Sequence, residues 1–418
     1  MLNPFANAMS QLDTATAILG NAEALKNLRQ PKNILEADVT IDMDNGQQKT
    51  FKAYRIQYNN NCGPYKGGIR FHPDVTLDEV KALGFWMTIK TSTVGIPMGG
   101  GKGGVAVNPK DLSETELEKL SRSYMRAFYK NFGPKVDVPA PDVNTNAKIM
   151  DWMEDEYEKL TGDSSGAVIT GKSLANSGSQ GRDTATADGG FFILKEYARQ
   201  QGWDPKNTTV VVQGFGNAGG TMAHILYQAG FKIIGLADSK NAIIDSTGNG
   251  FDVAKIQNIK DTHGSLAVCT GQKSDICDFD HEIMSPKKVL EVPTDILILA
   301  ALENQITADN VNDIKAKTIL ELANGPITPD ADKALEEKGV VVIPDVLANA
   351  GGVTVSYFEW QQNMKKEKWT AEQVHKKLEP IMQTAFQRVQ QTAEKYNISY
   401  RTAAFISALS QDCLLPKQ

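Results

Sequence analysis

Two runs near the start of the chain alternate apolar and polar residues. They span 33–42 and 50–58. A period of two is typical of a half-buried strand, so both runs are predicted to be β-strands. Residues 59–69 are rich in Asn and Gly, and they predict a loop that leads into a further strand.

Two signals for helix starts follow. Thr76 and Ser113 each stand three residues before a Glu, as in a capping box, so we expect helices to begin there. The apolar stripe of the first helix runs through 80–94 at spacings of three and four, and Lys90 continues it. An ammonium in such a stripe is costly without a partner, which makes Lys90 a candidate functional residue.

The pattern changes from about residue 205. Short apolar runs alternate with helical or loop stretches, which predicts a parallel sheet with covering helices. A long amphipathic helix is predicted over 370–396, and we expect it to pack back onto the first domain. The predicted strands are 208–213, 231–237, 296–302, 318–322 and 340–343.

Composition narrows the class of protein. The 418 residues are 41% hydrophobic with a net charge of -6, so we expect two or three folded domains. The chain has no Lys/Arg-rich tract, secretory signal or membrane-length apolar run, so neither nucleic acid nor a membrane is an expected partner. The cysteines are too few and too scattered for a disulfide framework and form no CxxC pair, so we expect no metal and a reducing, cytoplasmic location. They are Cys62, Cys269, Cys277 and Cys413.

A glycine motif marks the second half of the chain. Gly214-Phe215-Gly216-Asn217-Ala218-Gly219 follows a predicted strand and opens a helical stretch, and the next strand ends in Asp238. This is the context of a dinucleotide-binding βαβ unit, whose glycines let a pyrophosphate approach the helix N-terminus. The alternative is a tight strand-to-helix turn without a ligand.

The choice between NAD and NADP stays open in the sequence. Asp238 would accept hydrogen bonds from the adenosine ribose, which slightly favours NAD. Ser239 and Lys240 follow directly, and a hydroxyl with an ammonium would suit the extra phosphate of NADP. A second phosphate-binding pattern, GxxxxGK[ST] over 166–173, is dismissed because its interior is strand-like and no amphipathic helix follows.

Two lysines lie beside glycines in the first half. Lys66 precedes two glycines, and Lys102 lies among five. A lysine in a crowded, positive neighbourhood has a lowered pKa that suits acid–base chemistry. The stiff segment before Asp142 presents one carboxylate. The alternative is that both lysines are surface charges on flexible loops.

Taken together, these motifs resemble the hexameric glutamate dehydrogenases of the Glu/Leu/Phe/Val dehydrogenase family over nearly the whole chain. The resemblance implies an α/β protein with an N-terminal substrate and oligomerisation domain, 1–182, completed by 355–418. A Rossmann-type NAD(P)-binding domain would span 183–354. The motifs that carry the resemblance lie at 66–73, 85–90, 97–104, 139–145, 181–186, 214–219, 323–326 and 349–359.

The resemblance also implies roles for individual residues. Lys102 would activate the attacking water, and Asp142 would shuttle a proton to and from the amine. Lys90 would bind the α-carboxylate, and Lys66 with Ser356 the distal carboxylate. Val353 and Asn349 would complete the substrate site. The implied cofactor contacts are Thr186, Gly214, Phe215, Gly216, Asn217, Ala218, Gly219, Asp238, Ser239 and Asn324.

The implied activity is the reversible, NAD(P)-dependent conversion of L-glutamate to 2-oxoglutarate and ammonium, in a homohexamer with residues 1–60 at the interface. Leucine and phenylalanine dehydrogenases carry an apolar residue at the position of Lys66, so this lysine favours glutamate. The alternatives are a dehydrogenase of another amino acid and a non-catalytic NAD-binding relative. Two departures from the family pattern are Asp188 and Cys62.

Overall fold

The computed structural model describes residues 3–21, 26–270 and 274–414. The described chain forms two compact units. The first contains the residues up to Arg182, Val353–Leu378 and the residues from Ala404 onward. The second contains Asp183–Gly352 and Glu379–Ala403.

The N-terminal part of the first unit alternates strands and helices. Thr76 caps α2 through a hydrogen bond from the main-chain nitrogen of Glu79, and Ser113 with Glu116 forms a complete capping box at α3. Both helix starts agree with the sequence prediction. The elements are α1 (Pro4–Leu19), β1 (Asn33–Asp42), β2 (Gln48–Asn59), β3 (Tyr65–His72), α2 (Leu77–Val94), β4 (Gly100–Ala106), α3 (Glu114–Phe128), β5 (Asp137–Pro141) and α4 (Ala147–Thr161).

The sheet of the first unit has the order β1-β2-β4-β3-β5. The pairs β1/β2 and β2/β4 are antiparallel, while β3 runs parallel to both β4 and β5. A buried core that includes Phe71, Val105 and Leu120 lies between this sheet and the helices α3 and α4. The parallel trio matters most for function, because it carries Lys66, Lys102 and the residues leading to Asp142.

The second unit is built on a seven-stranded sheet. Its order is β12-β11-β10-β6-β7-β8-β9, and the five strands from β12 to β7 are parallel. Its elements are α5 (Ala185–Gln200), β6 (Thr209–Gln213), α6 (Asn217–Gln228), β7 (Lys232–Ala237), β8 (Ala242–Asp245), α7 (Val253–His263), β9 (His281–Met284), β10 (Ile296–Leu299), β11 (Thr318–Glu321), α8 (Pro329–Glu337), β12 (Val341–Ile343) and α9 (Asp345–Ala348).

This sheet agrees with the predicted α/β class and corrects one detail. All five predicted strands are present, but β8 and β9 were not foreseen, and both pair antiparallel. The sheet is therefore mixed rather than wholly parallel. Each of the two extra strands has four residues, which is too short for a clear apolar period.

Three helices close the chain: α10 (Gly351–Lys365), α11 (Ala371–Tyr396) and α12 (Tyr400–Leu409). The sequence prediction gave all of 355–418 to the first domain, whereas the structure groups Glu379–Ala403 with the second unit. The reason is aromatic packing: Phe386 and Tyr400 meet Tyr197 edge-on, at centroid distances of 6.3 and 6.5 Å.

The expectation about cysteines is wrong. Cys62 is bonded to Cys413 and Cys269 to Cys277, with Cα–Cα distances of 5.0 and 5.4 Å. The first pair is separated by 351 residues in sequence, and the fold brings it together because α12 packs on α2, as Phe405 does on Phe85. The argument from cysteine usage to a reducing compartment therefore loses its support.

Within the described ranges, the helices include none that is both long enough and apolar enough to span a membrane.

Candidate active site and dinucleotide site

The site of the first unit begins on two adjacent parallel strands. Lys66 lies on β3 and Lys102 on β4, and their exposed fractions are only 1% and 5%. Neither lysine is a surface charge on a flexible loop. Buried ammonium groups are costly unless partners compensate them, so the surroundings of each lysine decide what it does.

The glycines next to these lysines permit close packing of the main chain. A Cβ at Gly67 would lie 1.6 Å from the carbonyl oxygen of Gly101. A Cβ at Gly100 would lie 2.1 Å from the hydroxyl of Thr88, on helix α2. The glycine-rich sequence therefore forms a strand that lies directly against α2, rather than a mobile cradle for a ligand.

Lys102 is paired with Asp142. Its Nζ lies 2.8 Å from Oδ1 of Asp142, which follows β5. Arg70 donates from Nε to the other oxygen, Oδ2, at 2.7 Å, and also pairs with Glu79. Arg70 was part of a motif quoted for the family resemblance but received no role from the sequence. The structure makes it a second cation on the same carboxylate.

Burial and charge together set the protonation of this pair. Burial lowers the pKa of Lys102, with help from Arg70 and Lys90 and against the pull of Asp142, to about 8. For Asp142, burial alone would raise the pKa, but Lys102 and Arg70 outweigh it and hold the pKa well below its usual range. The arrangement thus offers an ionised acid beside a lysine that loses its proton near neutral pH.

Lys66 has a different set of partners. Its Nζ donates to the hydroxyl of Thr170 at 2.7 Å and to the carbonyl of Val138 at 3.2 Å. The Thr170 hydroxyl also forms a hydrogen bond with that of Ser356, at 2.6 Å. The structure therefore brings Lys66 and Ser356 to one place, and Thr170 joins them. Thr170 lies inside the dismissed phosphate-binding pattern at 166–173, and the sequence assigned it no role.

Burial is the main influence on the Lys66 ammonium. It lowers the pKa of Lys66 to about 7, with Glu359 acting in the opposite direction and Arg182 in the same one. Because the neighbouring groups that touch it are neutral hydroxyl and carbonyl oxygens, a bound carboxylate would supply the charge that this ammonium lacks.

The remaining substrate-site candidates lie on α2, on α10 and directly after α9. Lys90 is half-buried near the end of α2 and acts electrostatically on Lys102. Val353 is half-buried and Ser356 buried, three residues apart on α10 and hence on one face. Asn349 belongs to the second unit.

The rejected phosphate-binding pattern at 166–173 has a different use. Its interior forms turns rather than the strand suggested by the sequence. The Nζ of Lys172 donates to the carbonyls of Gly166 and Ile169, both at 2.7 Å, and to Glu359 at 3.0 Å. All three N–H groups of this ammonium are thereby used inside the protein, which leaves none for a phosphate.

The glycine turn of the second unit has the geometry of a pyrophosphate site. Gly214 follows β6 with φ +96°, and a Cβ at Gly219 would lie 2.0 Å from the carbonyl oxygen of Gly214. At Gly216, by contrast, a Cβ would meet no atom within 4 Å. Helix α6 begins at Asn217 without a side-chain cap, so its N-terminal N–H groups are available to an anion.

The turn also lies at the switch point of the sheet. Strand β6 has β7 on one side and β10 on the other, which is where open α/β sheets bind ligands. Phe215 is buried, Ala218 is half-buried and Asn217 is exposed. The main chain of the turn, rather than its side chains, is therefore the part suited to a dinucleotide.

Asp238 at the end of β7 already has many partners. Its Oδ1 accepts from the main-chain nitrogens of Lys240 and Asn241, at 2.8 and 3.0 Å. Its Oδ2 accepts from Lys260 at 3.0 Å, and from the hydroxyl of Ser265 and the nitrogen of Leu266 at 3.0 and 2.7 Å. Although burial would raise the pKa of Asp238, these donors hold it well below the usual range.

Two asparagines form a further polar cluster in the second unit. The Nδ2 of Asn349 donates to the side-chain oxygen of Asn324 at 3.0 Å and to the carbonyl of Leu322 at 3.2 Å. The buried Oδ1 of Asn349 has no hydrogen-bond partner among the described residues. An orphaned acceptor of this kind, together with the glycine turn, fits the amide-bearing end and the pyrophosphate of a nicotinamide dinucleotide.

The first turn of α5 contains two further residues singled out in the sequence, Thr186 and Asp188. Thr186 is the second residue of this helix and is half-buried. Asp188 accepts a hydrogen bond from the hydroxyl of Thr184 at 2.6 Å, which ties the first turn of the helix to the preceding residue. Ser239 is exposed beside Asp238.

The fold and the two sets of residues define a two-domain α/β protein of the dinucleotide-binding class. Comparisons with known proteins agree with this class. The sequence model described as Glutamate/Leucine/Phenylalanine/Valine dehydrogenase matches residues 177–411, and the model of the Glu/Leu/Phe/Val dehydrogenase dimerisation domain matches 31–159. The chain belongs to the Glu/Leu/Phe/Val dehydrogenase family.

Three relatives illustrate the similarity. The NADP-specific glutamate dehydrogenase of Synechocystis sp. is 44% identical over 97% of this chain and 95% of the relative. The NAD-specific glutamate dehydrogenase of Staphylococcus aureus is 43% identical over 94% and 92%. The crystal structure of glutamate dehydrogenase from Peptoniphilus asaccharolyticus has a TM-score of 0.86 at 38% identity, covering 98% and 97%.

Proposed function

We propose that the protein catalyses the reversible reaction of L-glutamate, NAD(P)⁺ and water to 2-oxoglutarate, ammonium, NAD(P)H and a proton. The observation that carries this proposal is the buried Lys66, whose contacts are hydroxyl and carbonyl oxygens, on the strand next to the Lys102–Asp142 pair. A distal carboxylate is the group that this ammonium lacks. A substrate with an apolar end would leave the cation buried without a counter-charge.

The chain's own residues account for the proton transfers. Asp142 is ionised and accepts a proton from the substrate ammonium, which leaves the free amine. A nicotinamide, when bound, supplies the hydride acceptor. Neutral Lys102 then takes a proton from the water whose oxygen bonds to the iminium carbon, and Asp142 returns its proton to the nitrogen. When the C–N bond breaks and ammonia leaves, the hydroxyl proton passes to Asp142 and the 2-oxo group forms. The protons on Lys102 and Asp142 then leave, one to ammonia and one to solvent, which accounts for the ammonium and the proton of the reaction. Lys90 holds the α-carboxylate in this proposal, and Lys66, Thr170 and Ser356 hold the distal one.

A direct assay tests the substrate assignment. Initial rates are measured with L-glutamate, L-norvaline, L-leucine and L-phenylalanine at saturating NAD⁺ and NADP⁺. Norvaline has the carbon chain of glutamate but ends in a methyl group. We expect glutamate to exceed the others in kcat/KM by about 10²-fold or more. An equal or greater kcat/KM for leucine, phenylalanine or norvaline would indicate a dehydrogenase of an apolar amino acid instead. No turnover of any of the four substrates would indicate a non-catalytic relative.

For the coenzyme, we infer that NAD⁺ and NADP⁺ are both accepted. The sequence favoured NAD slightly through Asp238, but a carboxylate has about four acceptor positions, and this one accepts the hydrogen bonds of five donors. Little capacity remains for ribose hydroxyls, while Ser239 and Lys240 are exposed beside it. We expect kcat/KM values for the two coenzymes within about tenfold of each other, since one phosphate contact is worth about that factor. A far larger preference for either coenzyme would contradict the inference.

We further propose a homohexamer. The match of 31–159 to a dimerisation domain supports self-association through the first unit. Light scattering measures the assembly, and a monomer would contradict the proposal. The cytoplasmic location stays a proposal from the sequence, which the bonded cysteines do not support. Fractionation of the source cells tests it: activity in the cytoplasmic fraction is expected, and activity in the secreted fraction would contradict it.

A further inference from the structure

The loop 166–172 is organised around one buried ion pair. The Nζ of Lys172 gathers the carbonyls of Gly166 and Ile169, and its third hydrogen bond goes to Oε1 of Glu359 on α10. The side chains of Lys172 and Glu359 have no exposed surface. This loop is therefore fixed by side-chain charge rather than by secondary structure.

Glu359 also binds the main chain directly after Thr170. Its Oε2 accepts from the nitrogen of Gly171 at 2.7 Å, and its Oε1 accepts from the nitrogen of Lys172 at 3.3 Å. Gly171 has φ +79°, a conformation that other residues rarely adopt, and a Cβ there would lie 2.3 Å from the ring of Pro141. The carboxylate thus holds a turn that requires glycine at position 171.

The same helix holds Thr170 at a second point. Ser356 lies one turn before Glu359, and its hydroxyl is 2.6 Å from that of Thr170. Thr170 in turn accepts the hydrogen bond from Lys66. Through these contacts, Glu359 fixes the position of one of the two groups that the Lys66 ammonium binds.

Glu359 also acts on Lys66 through charge. The charged groups that act on the Lys66 ammonium come from four directions: Glu359 on α10, Asp137 on β5, Arg55 on β2, and Arg182. Burial has the largest effect and lowers the pKa of Lys66. Glu359 raises this pKa more than any other charged group, and Asp137 raises it less. Arg182 and Arg55 both lower it. Asp137 is already paired with Arg55 in a buried salt bridge.

We propose that Glu359 is a positioning residue that sets the preference for a substrate with a distal carboxylate, by holding Thr170 in place and by keeping Lys66 positively charged. This inference rests on the proposed function, since it assigns a role at the same site. Glu359 does not touch the substrate in this account. It acts through Thr170 and Lys66.

The test is Glu359→Gln, assayed with glutamate and with norvaline from acidic to alkaline pH. Glutamine keeps the size of the side chain and removes its charge. We expect KM for glutamate to rise about tenfold with kcat nearly unchanged. The reason is that the carboxylate of Glu359 no longer holds the main chain after Thr170, so the position of Thr170 at the substrate site is less well fixed. Turnover of norvaline should stay within about twofold, because its methyl end needs no cation.

The pH dependence of the glutamate-to-norvaline ratio distinguishes a positioning role of Glu359 from a purely structural one. In the wild type, the glutamate-to-norvaline ratio of kcat/KM should fall as pH rises through the pKa of Lys66, about 7. In Glu359→Gln the fall should begin at lower pH, since the charge that favours the protonated lysine is gone. A purely structural role would lower both rates and leave the midpoint of the ratio in place.

Glu156→Gln is the matched control. Glu156 is a buried glutamate of the same unit that pairs with Arg126 at 2.7 Å and Arg122 at 3.4 Å. Its hydrogen bonds in the described part of the chain involve neither Lys66 nor Thr170. Its loss should leave the glutamate-to-norvaline ratio unchanged. A second variant, Lys172→Gln, breaks the same ion pair but keeps the charge of Glu359. It should raise KM for glutamate, because the loop that carries Thr170 loses the contacts of Lys172, without moving the pH midpoint to lower pH.

The outcomes distinguish this inference from the proposed function. A wild type that fails to prefer glutamate over norvaline overturns the proposed function. A wild type that prefers glutamate, with a Glu359→Gln variant that keeps the same KM, ratio and pH midpoint, overturns the role of Glu359 alone. Parallel loss of glutamate and norvaline turnover in both ion-pair variants overturns it as well, since the pair would then be structural.

Discussion

The two candidate sites differ in which part of the chain does the binding. In the first unit, the groups placed for chemistry are charged side chains, Lys66, Lys102 and Asp142, held on rigid parallel strands and their ends. In the second unit, they are main-chain N–H groups at a glycine turn and at the start of α6, where a side chain at Gly219 would clash with the turn itself. One site is therefore sensitive to removing side chains and the other to adding them.

The difference follows from the two ligands. A dinucleotide pyrophosphate carries diffuse charge that a helix N-terminus and main-chain donors can satisfy. Deamination requires protons to move at defined atoms, which main-chain amides cannot supply and lysine and aspartate can. Removing a charged side chain should therefore be most damaging in the first unit, and adding a side chain at a glycine should be most damaging in the second.

The largest expected effect is that of Lys102→Met. Methionine keeps most of the volume of the buried side chain but removes the base, so kcat for glutamate should fall by about 10³-fold or more. Dinucleotide binding, measured by fluorescence titration, should stay unchanged. A kcat within tenfold of the wild type would show that Lys102 is not the base.

Gly219→Val tests whether the dinucleotide site of the second unit is sensitive to an added side chain. Its Cβ would lie 2.0 Å from the carbonyl oxygen of Gly214, so the turn must open and the pyrophosphate site is lost. We expect dinucleotide affinity to fall by about 10²-fold, which corresponds to the loss of roughly two good hydrogen bonds. Gly220→Val is the matched control, because it makes the same substitution one residue further along α6, where a Cβ comes within 3.4 Å only of the end of the Gln257 side chain, at 3.1 Å. Equal effects at the two glycines would contradict the assignment of the turn.

The pH dependence of kcat probes the first unit more finely. Lys102 acts as a base only when neutral, and its pKa is lowered to about 8 from the ordinary 10.5. At saturating glutamate, kcat for deamination should rise up to tenfold per pH unit below about 8 and level off above it. A rise that continues to the ordinary lysine pKa would mean that the site does not lower it.

The smallest expected effect is that of Asn217→Ala in the second unit. The Asn217 side chain is exposed, and its only described hydrogen bond is a long one of 3.4 Å to the carbonyl of Asp183. Because the main chain of the turn does the binding, KM for the dinucleotide should change by less than about threefold. A loss as large as that of Gly219→Val would remove the contrast between the two units.

The sequence was most informative where structure depends on nearby residues. The predicted bounds of the alternating run 33–42 are those of β1, and the capping residues Thr76 and Ser113 begin α2 and α3. The glycine motif is contiguous, so its turn could be predicted before any strand order was known. Strands β8 and β9 were missed because four residues carry too little periodicity.

The first unit depended on contacts that no local pattern encodes. Thr170 meets Lys66 only because the loop 166–172 is folded around Lys172, and nothing in the spacing of residues 66, 170 and 356 predicts that meeting. Glu359 and Arg70 lay inside quoted motifs, but their partners could not be inferred without the packing of α10 on the loop 166–172 and the order of the strands around β3. The bond between Cys62 and Cys413 joins positions that only the packing of α12 on α2 brings near.

The central claim is that the Lys66 ammonium selects a substrate with a distal carboxylate. The most direct test is Lys66→Leu, with kcat/KM measured for glutamate and norvaline in the variant and the wild type. The account predicts that the variant loses about 10²-fold or more on glutamate while norvaline turnover is retained or improved, because the carboxylate then meets an apolar wall. Equal losses on both substrates would contradict it.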